Sequence, residues 1–198
     1  PISAGQQFTD EVDMKDMLSG LRLYPDLIQG SDEWFDVRRG IITASEVGQL
    51  LTPGLKLANN ETARTHVWEL LAQRISGFIE PTYIGFNAER GHEDEMWARV
   101  AYAEHFAPVE DMGFMSNDKW GFTLGYSPDG IVGDDGLIEC KSRVQKYQVK
   151  TIIEHVATGS LTIPKEFLAQ CQCGLLVSER KWLDFISYSG GLPMAVSR

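Results

Sequence analysis

Apolar residues recur at intervals of three and four through the first half of the chain and change to alternation after Val109. Residues 1–30 are weakly patterned; the spacing predicts an acidic amphipathic helix from Asp10 to Leu21, with Val12, Met17, Leu18 and Leu21 inward. Gly30-Ser31 offers an N-cap to a short helix with Asp32 and Glu33 in its first turn, where acids suit the helix dipole. Trp34, Phe35 and Val37 are its predicted core residues, and Arg38 falls one turn after Trp34 on the same side. Gly40 ends that helix. Thr43-Ala44-Ser45-Glu46 reads as a capping box opening an amphipathic helix through Val47, Leu50 and Leu51, stopped by Pro53-Gly54. Residues 61–76 place Ala63, Val67, Leu70, Leu71 and Ile75 at core spacing, with His66 at the edge. Asn87 caps a long helix to about Phe106, with Met96, Val100 and Ala103 on one stripe. Its run Glu93-Asp94-Glu95 has the character of a solvated face from which one carboxylate can turn inward.

The alternation that follows predicts strands over Val109–Met115, Trp120–Tyr126, Gly130–Val132 and Leu137–Lys141, with a turn at Ser116-Asn117-Asp118. Val144–Ala157 returns to helix. Pro164 suits a first helical position and opens Lys165–Val177, with Phe167, Leu168, Cys171 and Leu175 inward. Trp182–Tyr188 is a last strand. Helices, a meander, a helix pair and a strand predict an α/β or α+β domain with a central mixed β-sheet flanked by helices, one domain over 1–198.

Composition changes this picture little. At 198 residues and 43% apolar, the chain buries roughly 70% of its unfolded surface. No apolar run approaches the ~20 residues a membrane helix needs, and Pro1 to Gln7 lack a signal pattern, so the expected location is cytoplasmic. Cys140, Cys171 and Cys173 are too few for a disulfide framework, and Cys171-Gln172-Cys173 has no second ligand pair of zinc spacing. A net charge of −10 argues against a generic basic nucleic-acid binder. The charge is uneven, however: residues 137–181 carry seven Lys and Arg against four Glu, leaving room for a locally positive groove.

The chemistry concentrates in Ser127-Pro128-Asp129-Gly130 and Ile138-Glu139-Cys140-Lys141. Asp129 sits on a Pro-Asp-Gly turn signal. Glu139 and Lys141 project to one face of a strand while Cys140 points away. A hairpin through Gly133-Asp134-Asp135-Gly136 brings Asp129 back beside Glu139. Two carboxylates and an ammonium on one rigid surface suit a hard divalent cation and water next to a phosphate. Arg38 and the Ser45 hydroxyl, near a helix start, suit a phosphate pocket.

An acid after Pro followed by Glu-x-Lys resembles the PD-(D/E)XK nuclease superfamily. The order of further pieces resembles the lambda exonuclease / YqaJ viral recombinase family: Trp34 through Ser45, Gly91-His92-Glu93-Asp94-Glu95 with Ala98-Arg99, the Asp129 and Glu139-Cys140-Lys141 segments, and Ala169-Gln170-Cys171-Gln172. The resemblance implies a restriction-endonuclease-like core. It assigns Asp129, Glu139 and the Cys140 carbonyl to divalent metal, with Glu95 near a second ion. Lys141 would orient or deprotonate the attacking water, and Gln170 would help position it. Arg38, Ser45 and Ser127 would grip a terminal 5′-phosphate, with Thr43 close by. Two departures stand out. A Pro soon after the catalytic Lys is common in the family, but Ser142-Arg143 follow here. An upstream acid is also expected, and Asp118 matches it only approximately and is not assigned as a ligand.

The implied mechanism is metal-assisted hydrolysis with two Mg²⁺ ions about 4 Å apart, Mn²⁺ being a substitute. The implied activity is 5′→3′ digestion of one strand of linear double-stranded DNA to 5′-mononucleotides, leaving a 3′ overhang. A homotrimeric ring and a phage single-strand annealing protein as partner belong to the same implication, as does a bacterial host cell for a phage or prophage product. The alternatives are another PD-(D/E)XK endonuclease, or a non-catalytic DNA-end-binding protein.

Overall fold

The computed structural model describes residues 20–80, 86–160 and 162–198. Among them the strands form two four-stranded mixed sheets. In the first, the order is β1 (Leu21–Tyr24), β3 (Phe114–Asn117), β4 (Leu124–Tyr126), β2 (Ile42–Thr43). In the second it is β5 (Gly130–Val132), β6 (Gly136–Ser142), β7 (Trp182–Tyr188), β8 (Ala195–Ser197). The helices are α1 (Asp32–Arg38), α2 (Glu61–Ser76), α3 (Phe86–His105), α4 (Gln145–Thr158) and α5 (Lys165–Ser178). The α+β class and the mixed strand pairing flanked by helices are as the periodicity predicts; the strands divide into two sheets where one central sheet is expected.

The second sheet sorts its side chains by alternation. Leu137, Leu183 and Phe185 join the core cluster that contains Cys171 and Val177 of α5. Ile138, Cys140 and Ile186 point the other way, to Ala98 and Tyr102 of α3. The sheet is therefore a middle layer between two helices, and Glu139 lies on the α5 side with Leu137. β6 and β7 run parallel, pairing Glu139 with Phe185 and Lys141 with Ser187. Gln148, fully buried on α4, donates to the carbonyls of Ser187 (3.0 Å) and Pro193 (2.7 Å) and holds that helix to the sheet end.

Several local expectations change. Leu21 opens β1 instead of closing a helix, and the rest of the predicted Asp10–Leu21 helix, to residue 19, lies outside the described residues. Ser31 does cap α1, accepting from the Trp34 N–H at 3.3 Å. Thr43-Ala44-Ser45-Glu46 is not a capping box. Thr43 is the last residue of β2, its hydroxyl donates to the Glu46 carboxylate at 2.6 Å, and only one 3-10 turn follows (Val47–Leu50). Pairing of β2 with the buried strand β4 outweighs the local helical signal.

The remaining helices lie as expected, but α1 buries Trp34 and exposes Phe35, and two others present different faces. On α2 the buried residues are Ala63 and His66, while Val67, Leu71 and Ile75 are exposed. On α3 the inward stripe is Ala98 and Tyr102, and Met96, Val100 and Ala103 are exposed. Tyr102 wins because its hydroxyl donates to buried Asp184 at 2.6 Å, while Ala98 is small enough for close approach to the sheet. Met96 lies about 200° round the helix from Ala98. Ser116 and Asn117 belong to β3 and not to a turn; buried Asn117 donates to the Val177 carbonyl of α5 at 3.1 Å. The predicted strand from Val109 reduces to an isolated Glu110–Ile131 bridge before β3.

Candidate active site

β5 and β6 are an antiparallel hairpin turning at Gly133, whose φ of +51° favours glycine, and Gly130 faces Ile138 across it. This register returns the chain so that the Asp129 carboxylate accepts the Cys140 backbone N–H at 2.5 Å. Glu139, 1% exposed, projects from the opposite face to Cys140 and collects three donors. Lys141 Nζ reaches Oε1 at 2.6 Å, the Gln170 amide of α5 donates to that same oxygen, and the Tyr126 hydroxyl donates to Oε2 at 3.0 Å. The Tyr126 ring can pass so close to α5 because residue 174 is glycine; a Cβ there would stand 2.8 Å from the ring.

A second group converges from the first sheet and α1. The Ser127 hydroxyl accepts from the Trp34 indole at 3.0 Å and from Arg38 Nη1 at 3.3 Å. The Arg38 guanidinium lies 3.9 Å from the Trp34 ring centroid, a cation–π contact that holds it in place. Thr43 Oγ1 and Ser45 Oγ stand 3.2 Å apart. Both groups line one cavity of about 180 Å³, with Glu95 of α3 in its wall. Asp129, Glu139, Cys140, Lys141, Glu95, Gln170, Arg38, Thr43, Ser45 and Ser127 thus all meet there. Asp118 does not; it pairs with Arg22 at 2.7 Å on the surface.

Four further residues act at the site without having been assigned to it: Trp34, Tyr126 and Gln29, which line the cavity, and Glu46 beside it. Trp34 reads as a core residue and Tyr126 as the end of a strand, and only tertiary packing reveals that each places a donor at the site. Gln29 lies in the weakly patterned N-terminal stretch. Glu46 read as a cap, yet its charge acts on the buried Arg38 guanidinium. The 3-10 turn after Ser45 is too short for a helix dipole to matter, so the anion-binding character of this end comes from side chains.

The electrostatics follow from crowding acids into a partly dry cavity. Burial, reinforced by the charges of Glu139 and Glu95, pushes the Asp129 carboxyl well above its ordinary value. Burial also raises Glu95; Glu139 adds to the rise while His92, Arg99 and Lys141 oppose it. For Lys141, burial presses downward, but the carboxylates of Glu139 and Asp129 outweigh it and the ammonium is favoured. Burial pushes the Cys171 thiol up to about 12 and Cys173 up to about 11, so neither is a ready thiolate for a soft metal.

Three carboxylates against one ammonium leave a surplus of negative charge, and the side-chain donors are oxygens. That set fits a hard divalent cation such as Mg²⁺. The fit is one of charge and donor type. Among the described residues no three His, Cys, Asp or Glu side chains are already drawn into a cage; both Glu139 oxygens and Asp129 Oδ2 are engaged by the donors above.

The fold is that of the restriction-endonuclease-like nucleases, and comparison with known proteins narrows the class. The chain belongs to the family of the YqaJ-like viral recombinase domain, whose model matches residues 33–181. It is similar to the crystal structure of an alkaline exonuclease, LHK-Exo, from Laribacter hongkongensis, with 32% identity and a TM-score of 0.70 over 85% of this chain and 81% of that one. A second structure, LHK-Exo in complex with dAMP, is 31% identical with a TM-score of 0.65, covering 85% and 83%. No curated protein matches. Among the described residues no helix is long and apolar enough to cross a membrane.

Proposed function

We propose that this protein is a divalent-metal-dependent exonuclease that digests one strand of linear double-stranded DNA from a 5′-phosphorylated end in the 5′→3′ direction. The observation that carries this proposal is the single cavity in which the acids and Lys141 lie beside the Arg38–Ser127 pair. Family membership and the alkaline exonuclease neighbour support it.

In this reading Asp129 and Glu139 hold the metal with the Cys140 carbonyl, and Glu95 serves a second ion. Bound Mg²⁺ supplies Lewis-acid activation of water and charge neutralisation at the phosphate. The protein's own groups do the rest. Arg38, Ser45 and Ser127 hold the terminal phosphate, with Thr43 fixing Ser45, and so choose which phosphodiester lies over the acids. Lys141, whose ammonium meets Glu139 at 2.6 Å, orients or deprotonates the attacking water and steadies phosphate charge. Gln170 holds Glu139 in place.

The product is a 5′-mononucleotide and a 3′ overhang suited to a single-strand annealing protein in phage-type recombination. A homotrimeric ring is part of the same proposal; the exposed apolar side chains of α2 and of Phe78 after it are surface that assembly would cover. The test is an end-labelled linear duplex with Mg²⁺, comparing 5′-phosphate with 5′-hydroxyl ends and with covalently closed circles. Cutting of closed circles would favour an endonuclease instead, and binding without cutting a non-catalytic end-binding protein.

A further inference from the structure

Next to the active cavity is a second chamber of about 550 Å³. It shares Glu95, Cys140 and Lys141 with that cavity, but none of Trp34, Arg38, Ser45 or Ser127. Glu95, Cys140 and Lys141 thus stand between the two, with the Arg38 grip on one side and the chamber on the other. The chamber's remaining charged wall includes Arg90 and Arg143.

Both arginines have an unmet need. Among the described residues, four buried side-chain nitrogens find no hydrogen-bond acceptor, and two of these are Arg90 Nε and Arg143 Nε. Arg90 Nε has the Asp94 carboxylate only at 3.7 Å. Arg143 is held rigidly: its side chain is 12% exposed, its guanidinium lies 5.2 Å from the Phe167 ring and 5.4 Å from Tyr147, and Nη1 meets Glu166 at 3.3 Å. A buried N–H without an acceptor is costly, and a fixed guanidinium fork matches the oxygens of a phosphate.

Position along the strand adds direction. Glu139, Lys141 and Arg143 alternate onto one side, so Arg143 follows Lys141 by two residues, about 6.6 Å of extended chain. Arg143 also occupies the stretch where the family commonly has proline. Its backbone N–H donates to the Tyr188 carbonyl at 2.7 Å, prolonging the β6–β7 pairing in a way proline does not permit. The departure from the family pattern thereby places a cation one step beyond the catalytic Lys.

We propose that Arg143, assisted by Arg90, binds the phosphodiester that follows the cleaved one in the same DNA strand, on the side of the cut away from the 5′ terminus. This rests on the exonuclease function proposed above. Arg143 is then a substrate-positioning residue whose absence misplaces the scissile bond. The strand continues past it toward the cleft of about 650 Å³ lined by Lys150 and Lys165.

The test uses a 5′-phosphorylated linear duplex with Mg²⁺, unmodified or with one neutral methylphosphonate at either of the two linkages following the scissile bond. Wild type is expected to lose roughly tenfold in kcat/KM at one of them, a charge-assisted hydrogen bond's worth. Arg143→Gln is expected to lose about as much on unmodified DNA and to lose little more on the modified duplex, the non-additivity of a shared contact. Arg143→Lys, which keeps the charge without the fork, should fall between them. With Ca²⁺ replacing Mg²⁺, the salt dependence of duplex binding should drop by about one phosphate contact in Arg143→Gln. Fully multiplicative losses at both linkages, with an unchanged salt slope, would overturn the assignment while leaving the exonuclease intact, and would also result if the chamber held only released mononucleotide. A wild-type protein that leaves unmodified duplex uncut sinks both proposals.

Discussion

The hydroxyl of Tyr126 donates to Glu139 Oε2 at 3.0 Å, joining the last residue of one sheet's central strand to the buried acid of the other sheet. Tyr126 is fully buried, and burial first, then the nearby carboxylates, push its pKa well above the ordinary phenol value, so it remains a donor. Tyr126→Phe should therefore leave a buried carboxylate oxygen short of a partner and cost about 1–3 kcal/mol. Thermal unfolding of wild type and variant reads this as a drop of several degrees; equal melting temperatures would show that the bond contributes nothing.

Gly174→Ala tests the same relationship from the helix side. The added Cβ meets the Tyr126 ring at 2.8–3.0 Å, so ring or helix must shift. Overpacking of this kind costs about 1–3 kcal/mol, although alanine is the better helix former. A stabilised variant, in denaturant titration, would contradict the close packing described here.

Lys141→Ala should abolish hydrolysis while DNA binding stays within a few-fold of wild type. Gel-shift affinity in Ca²⁺ beside single-turnover cleavage in Mg²⁺ separates the two quantities. Normal turnover in the variant removes Lys141 from the mechanism.

Arg38→Ala should reduce the preference for 5′-phosphorylated over 5′-hydroxyl ends by roughly tenfold or more, since a charge-assisted contact is lost. Trp34→Phe removes the indole donor to Ser127 but keeps a ring beneath the guanidinium, so its effect on that ratio should be smaller. Parallel digestion of the two duplexes measures both; an unchanged ratio in Arg38→Ala refutes the end-binding pocket.

Asp129 and Glu95 have folded-state pKa values raised first by burial, then by neighbouring carboxylates: Glu139 and Glu95 for Asp129, and Glu139 for Glu95. For acids shifted upward, the stabilising contribution is complete below the unfolded value and is lost as pH rises through the folded one. Their contribution to the stability of the metal-free protein should therefore fall as pH climbs above the ordinary carboxylate range. Mg²⁺ binds the ionised form, so the rise in melting temperature on adding it should grow over the same range. A Mg²⁺-induced shift that shrinks with rising pH contradicts the assignment of these acids to a cation.

Much of the second sheet was legible because its local signals and tertiary environment agree. Trp182–Tyr188 and Gly130–Val132 fall where alternation and turn residues put them. Helix faces were less legible. The apolar residues of α2 surround the helix, and spacing alone selects Val67 and Leu71, whereas the buried positions are Ala63 and His66. In α3, a hydrogen bond from Tyr102 to a residue 82 positions away decides the orientation, and no local window contains that partner. At the site, turn chemistry and strand alternation placed Asp129, Glu139 and Lys141 together. Glu95 and Gln170 came from family resemblance, since nothing in helical periodicity picks one acid of Glu93-Asp94-Glu95. The structure turns Glu95 and Asp94 inward and leaves Glu93 in solvent. Tyr126 went unrecognised because a tyrosine in a strand carries the same pattern whether or not its hydroxyl has work to do.

Ser127 and Asp129 are separated only by Pro128, the most conformationally restricted of residues. Under the proposed function, one grips the terminus and the other holds the chemistry, so the interval between them acts as a molecular gauge. A gauge cut from a single stiff peptide segment has little freedom to stretch. Each cycle should therefore release the same length of product, whatever the base sequence passing over it.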